Sequence, residues 1–153
     1  MTWWNIFVGV VVVIGVTVLW LQEHIRAYAI RRLARRLGLT YLGKRALPGA
    51  LSLYGTPFDA LSSSTVSNLI DGERGNIRVI AFDCRIEKGK ESWGCTVIAA
   101  RSQGEIFGGN NLNPKLRIDR SAAWQILYYP QLLGNVRLMP VAELEAHLEA
   151  IKG

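Results

Sequence analysis

Residues 76–100 read Asn76-Ile77-Arg78-Val79-Ile80-Ala81-Phe82-Asp83-Cys84-Arg85-Ile86, then Glu87-Lys88-Gly89-Lys90-Glu91-Ser92, then Trp93-Gly94-Cys95-Thr96-Val97-Ile98-Ala99-Ala100. The outer runs are rich in β-branched and aromatic residues, which suit a pleated surface buried on at least one side. The charged stretch between them carries Gly89, and two such runs around a short Gly-containing loop predict a β-hairpin. In that register Cys84 and Cys95 fall nearly opposite one another. Upstream, Val66 to Ile70 is followed by Asp71-Gly72 and Arg74-Gly75, a turn that adds a third strand. The centre of the chain therefore reads as an antiparallel meander.

Downstream the signals weaken. Ser102 to Pro114 is rich in Gly and Asn (Gly108-Gly109-Asn110-Asn111) and lacks the spacing of a phosphate-binding or dinucleotide loop. It reads as a long surface turn, with Asn110 and Asn111 as candidate ligand contacts. Leu116 to Asp119 alternates weakly, Trp124 to Tyr129 reads as a buried strand closed by Pro130, and Val136 to Met139 as a last strand. Beyond Pro140 the period changes to that of a helix, over 140–152. Val141, Leu144, Leu148 and Ile151 make one apolar stripe. Nearer the N-terminus, Ala50 to Tyr54 reads as a short strand, Gly43 to Pro48 as a linker or turn, and Ser62-Ser63-Ser64 as a polar loop.

The other end of the chain is of a different kind. Trp3 to Leu21 contains no charge and only Asn5 and Thr17 as polar residues. As a helix it would be roughly 28 Å long, close to the ~30 Å hydrocarbon core of a bilayer. Trp3, Trp4 and Trp20 sit at its two ends, where indole rings favour the membrane interface. No basic n-region or small-x-small cleavage site accompanies it, so it reads as an uncleaved anchor over residues 1–22. Gln22 to Leu37 continues as a helix, stopped by Gly38. Ile30, Leu33 and Leu37 share one face, Arg31, Arg32, Arg35 and Arg36 the opposite one, and Arg26 breaks the pattern.

Charge follows this division. The chain of 153 residues has a formal charge of +6. Residues 23–45 hold Arg26, Arg31, Arg32, Arg35, Arg36, Lys44 and Arg45 against Glu23 alone, and residues 46–153 hold eleven charges of each sign. A nucleic-acid-binding domain carries its own basic face, so that class is set aside. Basic residues beside a membrane helix keep that end in the cytoplasm, while the other flank offers only the α-amino group. The expectation is an N-terminus outside, a cytoplasmic domain, and free thiols at Cys84 and Cys95 in a reducing compartment. The seven basic residues are candidates for a topology signal or for contact with anionic headgroups.

No catalytic or metal constellation can be assembled. His24 lies at the membrane edge and His147 in mid-helix, neither in a ligand spacing with Cys or carboxylates, and no cofactor is implied. Asp83 sits inside an apolar strand and needs a partner, for which Arg85, Arg78 and Arg101 are the nearest candidates.

Leu37-Gly38-Leu39-x-Tyr41, Asn68-Leu69-Ile70-x-Gly72 and Gly75-x-x-x-Val79-x-x-Phe82-Asp83 together resemble a group of uncharacterised, membrane-anchored bacterial proteins, over roughly residues 30–100. The resemblance implies location and fold, and a bacterial inner membrane. Such proteins usually have an aromatic residue where this chain has Cys84.

The expectation is therefore an α+β protein. A transmembrane helix runs into a basic juxtamembrane helix and linker (23–45), followed by a β-rich domain (46–153) of five to seven antiparallel strands closed by one helix, barrel-like and pleckstrin-homology-like in order. Functionally it reads as a single-pass inner-membrane protein presenting a non-enzymatic binding module near the bilayer, with the bilayer and a protein as partners. The rival readings are a membrane-proximal enzyme for a lipid or small substrate and an anionic-lipid-binding module.

Overall fold

A computed structural model of the chain describes residues 3–61, 65–88, 91–101, 104, 106–107, 115–130 and 138–151. It opens with a single uninterrupted helix, α1 (Trp3–Arg36), 34 residues long. Its first two-thirds touch nothing: from Trp3 to Ile25 every residue is exposed. This part is long and apolar enough to cross a membrane. The last third is built into the domain, with Ile30, Leu33, Ala34 and Leu37 buried. The helix ends where Gly38, at φ 71°, turns the chain. Gly38 N donates to Arg35 O at 3.3 Å and Leu39 N to Ala34 O at 2.8 Å, the paired bonds of a Schellman stop with glycine in the left-handed position.

Six antiparallel strands follow: β1 (Thr40–Ala46), β2 (Thr65–Arg74), β3 (Ile77–Lys88), β4 (Glu91–Arg101), β5 (Arg117–Ser121) and β6 (Trp124–Tyr128). They form one open sheet in the order β1-β2-β3-β4-β6-β5. β1 and β5 are free edges, so the barrel-like closure expected from the element order is not formed. The predicted central hairpin is present, with Cys84 opposite Cys95 and Asp83 opposite Thr96. A helix α2 (Val141–Ala150) closes the described chain, with Pro140 at its N-cap.

Four local expectations are corrected. Residues 43–46 continue β1 instead of forming a linker. The β2–β3 turn is Gly75-Asn76 alone, both at positive φ (53° and 66°), the geometry of a two-residue hairpin turn; Asp71 and Gly72 stay in the strand. Residues 50–54 form no strand, because Pro48, Gly49, Gly55 and Pro57 break the extended run while its leucines still need burial. Met139 belongs to no strand, and its N–H goes to a side chain, Thr96 Oγ1, at 2.9 Å; residues 136–137 lie outside the described residues.

The sheet has two cores because its strands alternate. Val79, Ala81, Ile98, Ala100 and Leu127 point to the face covered by α1 and α2. Ile80, Phe82, Cys84, Cys95, Val97, Ala99 and Ile126 point to the other face, covered by Leu47, Leu51, Leu53, Phe58 and Leu61 from the segment between β1 and β2. Trp124 Nε1 donates to Ala50 O at 3.0 Å and Ser121 Oγ to Tyr54 O at 2.8 Å, fastening that segment down. At about 25 cal/mol per Å² of apolar area, each large side chain sealed in this way contributes on the order of 1.5–3 kcal/mol.

Candidate functional site

The helix-covered face holds a charge that its pattern would otherwise exclude. Along β3 the positions facing α1 run Val79, Ala81, Asp83, and Asp83 is 4% exposed. Along α1 the positions facing the sheet run Arg26, Ile30, Leu33, Leu37, a spacing of 4, 3 and 4 that makes a single stripe. The two charges meet. Arg26 Nε donates to Asp83 Oδ2 at 2.7 Å and Nη2 to Oδ1 at 2.8 Å, a bidentate pair. Thr96 Oγ1, across the β3–β4 pair, donates to Oδ1 at 2.6 Å. Asn68 Nδ2 donates to Oδ2 at 2.8 Å.

Asn68 reaches the carboxylate through a break in register. Ser67 pairs with Asp83 but Ile70 pairs with Ala81, so β2 has one residue more than β3 there, and Asn68 takes φ 51°. Such a bulge re-aims a side chain at modest cost, and Asn tolerates the left-handed region better than most residues. The network extends on both sides. Tyr41 OH donates to Asn68 Oδ1 at 3.1 Å, and Arg26 Nη1 donates to Met139 O at 2.8 Å. Thr96 Oγ1 also accepts from Arg26 Nη2 at 2.9 Å. Burial raises the Tyr41 hydroxyl above its ordinary range, opposed by the charge of Arg31.

This arrangement decides what Asp83 can do. A carboxylate offers about four lone-pair sites, and four donors fill them. A general base needs a free lone pair facing a substrate, and a nucleophile needs an approach. Asp83 has neither. The cluster is a clamp that joins the last third of α1 to β2, β3, β4 and the segment before α2. Leaving either charge alone in this site would cost about 3–5 kcal/mol.

The remaining sequence candidates are dispersed. Arg85 is exposed, and Arg78 pairs instead with Asp71, Nε to Oδ1 at 3.2 Å and Nη2 to Oδ2 at 2.9 Å. None of the three arginines proposed for Asp83 reaches it. Arg31, Arg32, Arg35 and Arg36 are exposed on the side of α1 away from the sheet, and Lys44 and Arg45 are exposed on the edge strand. Arg36 pairs with Glu145 of α2. Trp3, Trp4 and Trp20 are exposed on α1. Asn110 and Asn111 lie outside the described residues. Gln125, which is buried, accepts from Ile106 N at 3.0 Å and so ties Ile106 to β6.

Cys84 and Cys95 are free thiols whose Sγ atoms lie 3.5 Å apart in the loop-covered core. The hydrogen bond with Cys84 and burial both push the Cys95 thiol far above its ordinary range, so it is a packed group and no nucleophile. His24 Nδ1 donates to Trp20 O at 2.9 Å. His147 Nε2 lies 3.8 Å from Glu143, a carboxylate that accepts from Tyr129 OH. Among the described residues, no three metal-binding side chains come together. An open depression of about 350 Å³ is lined by Thr40, Leu42, Asp71, Gly72, Glu73 and Arg78, and its arginine is already bound to Asp71.

In the sequence Asp83 and Arg26 each stand out of pattern, and nothing local joins them. The signal was available: Arg26 is the one charge on the stripe Ile30, Leu33, Leu37, Asp83 follows Val79 and Ala81 on one face of β3, and the two have opposite sign. Asn68 and Thr96 carried no such mark. Comparison with known protein families, curated proteins and solved structures returns no match for this chain.

Proposed function

We propose that this chain is a single-pass inner-membrane protein, N-terminus outside, that holds a small non-enzymatic module rigidly at the cytoplasmic face of the bilayer for a protein partner. The observation that carries the reading is the continuity of α1. One helix is apolar through Leu21 and bare through Ile25, and it joins the core from Arg26 onward. A flexible tether would let the module roam; a helix clamped through Arg26 and Asp83 fixes both its height and its rotation. Leu21 to Arg26 spans about 7.5 Å along the axis, so the clamp begins at about headgroup depth.

The basic residues after the anchor support a cytoplasmic module, and two free thiols suit that compartment. The resemblance to membrane-anchored bacterial proteins points the same way. The saturated hydrogen bonding of Asp83 favours a positional role over chemistry. The test is protease protection of a C-terminally tagged protein in spheroplasts, with thiols counted in the same sample after denaturation. A protected tag with two reactive thiols is the expected result. A digested tag with Cys84 and Cys95 oxidised would reverse the topology and end the cytoplasmic reading.

A further inference from the structure

The side of α1 opposite the sheet carries a run of exposed positive charge. Arg31, Arg32, Arg35 and Arg36 are all exposed there within two turns. Arg31 and Arg35, and Arg32 and Arg36, are like-charged pairs at i,i+4, each of which weakens a helix by about 0.2–0.5 kcal/mol. Arg36 has Glu145. Among the described residues, Arg31, Arg32 and Arg35 form no ion pair.

Two kinds of anion are open to such a stripe, a lipid surface or an acidic protein segment, and distance separates them. Because α1 is unbroken, Arg31 lies about 15 Å and Arg35 about 21 Å beyond Leu21 along the axis. The headgroup layer is only about 5–7 Å thick on each side, and the Debye length at physiological salt is about 8 Å. A helix tilt of about 40°, the upper end of the usual range, still leaves Arg35 about 16 Å out. The lower stripe therefore stands in water, beyond the lipid surface.

We propose that Arg31, Arg32 and Arg35 form a docking stripe for an acidic segment of a protein partner on the cytoplasmic side. The spacing suits it. Arg31 and Arg35 are separated by about 6 Å of helix rise, close to the ~6.8 Å between alternate residues of an extended chain, so carboxylates at every second position can engage successive arginines. Arg36 and Glu145 already make one such contact within the chain. Since the sheet holds the helix rigid, the stripe is ordered before the partner arrives, which lowers the entropic cost of binding. This inference rests on the anchored reading above.

The experiment uses the full chain in phosphatidylcholine nanodiscs and a fluorescein-labelled (Glu-Ser)8 peptide, read by anisotropy. Three proteins are compared: the natural chain, R31Q/R32Q/R35Q, and K44Q/R45Q, which removes charge elsewhere on the exposed surface. The stripe variant should bind at least tenfold more weakly and the control within about threefold of the natural chain, with affinity falling as salt is raised. No binding by the natural chain, or equal losses in both variants, would overturn the proposal. In discs with one-third phosphatidylglycerol, the ratio between natural chain and stripe variant should persist. Its collapse would mean that lipid covers the stripe, which also overturns the proposal. Flotation of the same proteins with liposomes after an alkaline wash tests the anchor separately, so a failed anchor and a failed stripe give different results.

Discussion

The two parts of α1 share one backbone and one rotation per residue, yet their side-chain patterns differ. From Trp3 to Leu21 the helix shows almost only apolar side chains on every side, and all residues through Ile25 are exposed. From Arg26 to Leu37 it is amphipathic, with the stripe Ile30, Leu33, Leu37 sealed against the sheet and the arginines turned away. In lipid, apolar surface on every side is favourable; against a sheet in water, only one face can be apolar. The lesson lies at the junction. Where the exposed part of the helix gives way to the docked part, the chain places a charge on the inner stripe and answers it with Asp83, so the join between the parts is electrostatic and directional, and a slip by one residue would break it.

The largest effect should come from breaking that join. Asp83→Ala leaves the Arg26 guanidinium buried with only Thr96 Oγ1 and Met139 O as acceptors and should lower domain stability by about 3–5 kcal/mol. Pulse proteolysis in urea on the protein in nanodiscs measures this. The apolar double variant Arg26→Met with Asp83→Leu should recover much of the loss, since a well-packed apolar pair often matches a buried ion pair. If Asp83→Ala alone changes stability by less than 1 kcal/mol, the clamp is not what joins helix to sheet.

Packing sharpens the contrast along the same helix. Leu33 is 2% exposed and Val11 51%. Leu33→Ala should cost the domain about 2–5 kcal/mol, whereas Val11→Ala should leave urea unfolding of the domain unchanged. Equal effects would mean that the bare part of α1 is also part of the folded core.

Much of this contrast was legible in the sequence. The apolar run, the basic flank, the stop at Gly38 and the β3–β4 register with Cys84 facing Cys95 follow from local pattern, because helix and hairpin periods act over a few residues. What escaped depends on contacts between distant segments. The Arg26–Asp83 pair spans 57 positions, so no window on either strand or helix contains it. The bulge at Asn68 cannot be seen from alternation alone, and an open sheet differs from a barrel only in whether its first and last strands meet. Residues 50–54 misled because burial by a loop and burial by a strand select the same leucines. Tyr41, Asn68 and Asp83 come together in the clamp, and Gly38 and Gly72 shape the chain beside it.

Gly72 tests that last point at smaller scale. A Cβ there would lie 2.7 Å from Leu39 Cδ2 and 3.3 Å from Leu39 Cα. The end of a leucine can swing aside but a backbone carbon beside the helix stop cannot easily do so. Gly72→Ala should therefore destabilise the docked part by about 1–3 kcal/mol. Amide exchange should rise around Leu37 to Tyr41 and stay unchanged in Val8 to Val18. Uniform protection in both regions would show that the Leu39–Gly72 approach has slack.

The smallest effect concerns α2, which covers the sheet beside the docked part of α1. Burial lowers the His147 pKa below its ordinary 6.5, while Glu143 opposes the shift. The unfolded chain then takes up a proton at higher pH than the folded one, so between the two values the unfolded state binds more protons and stability rises with pH. The contribution is fully present above about pH 6.5 and is lost as pH falls below it. His147→Gln should flatten this part of the stability profile between about pH 7.5 and 5.5, because glutamine does not titrate. A slope that survives the substitution would assign the dependence to another group. A natural chain more stable at pH 5.5 than at 7.5 would mean that Glu143 outweighs burial and that the imidazolium is held within the packed face.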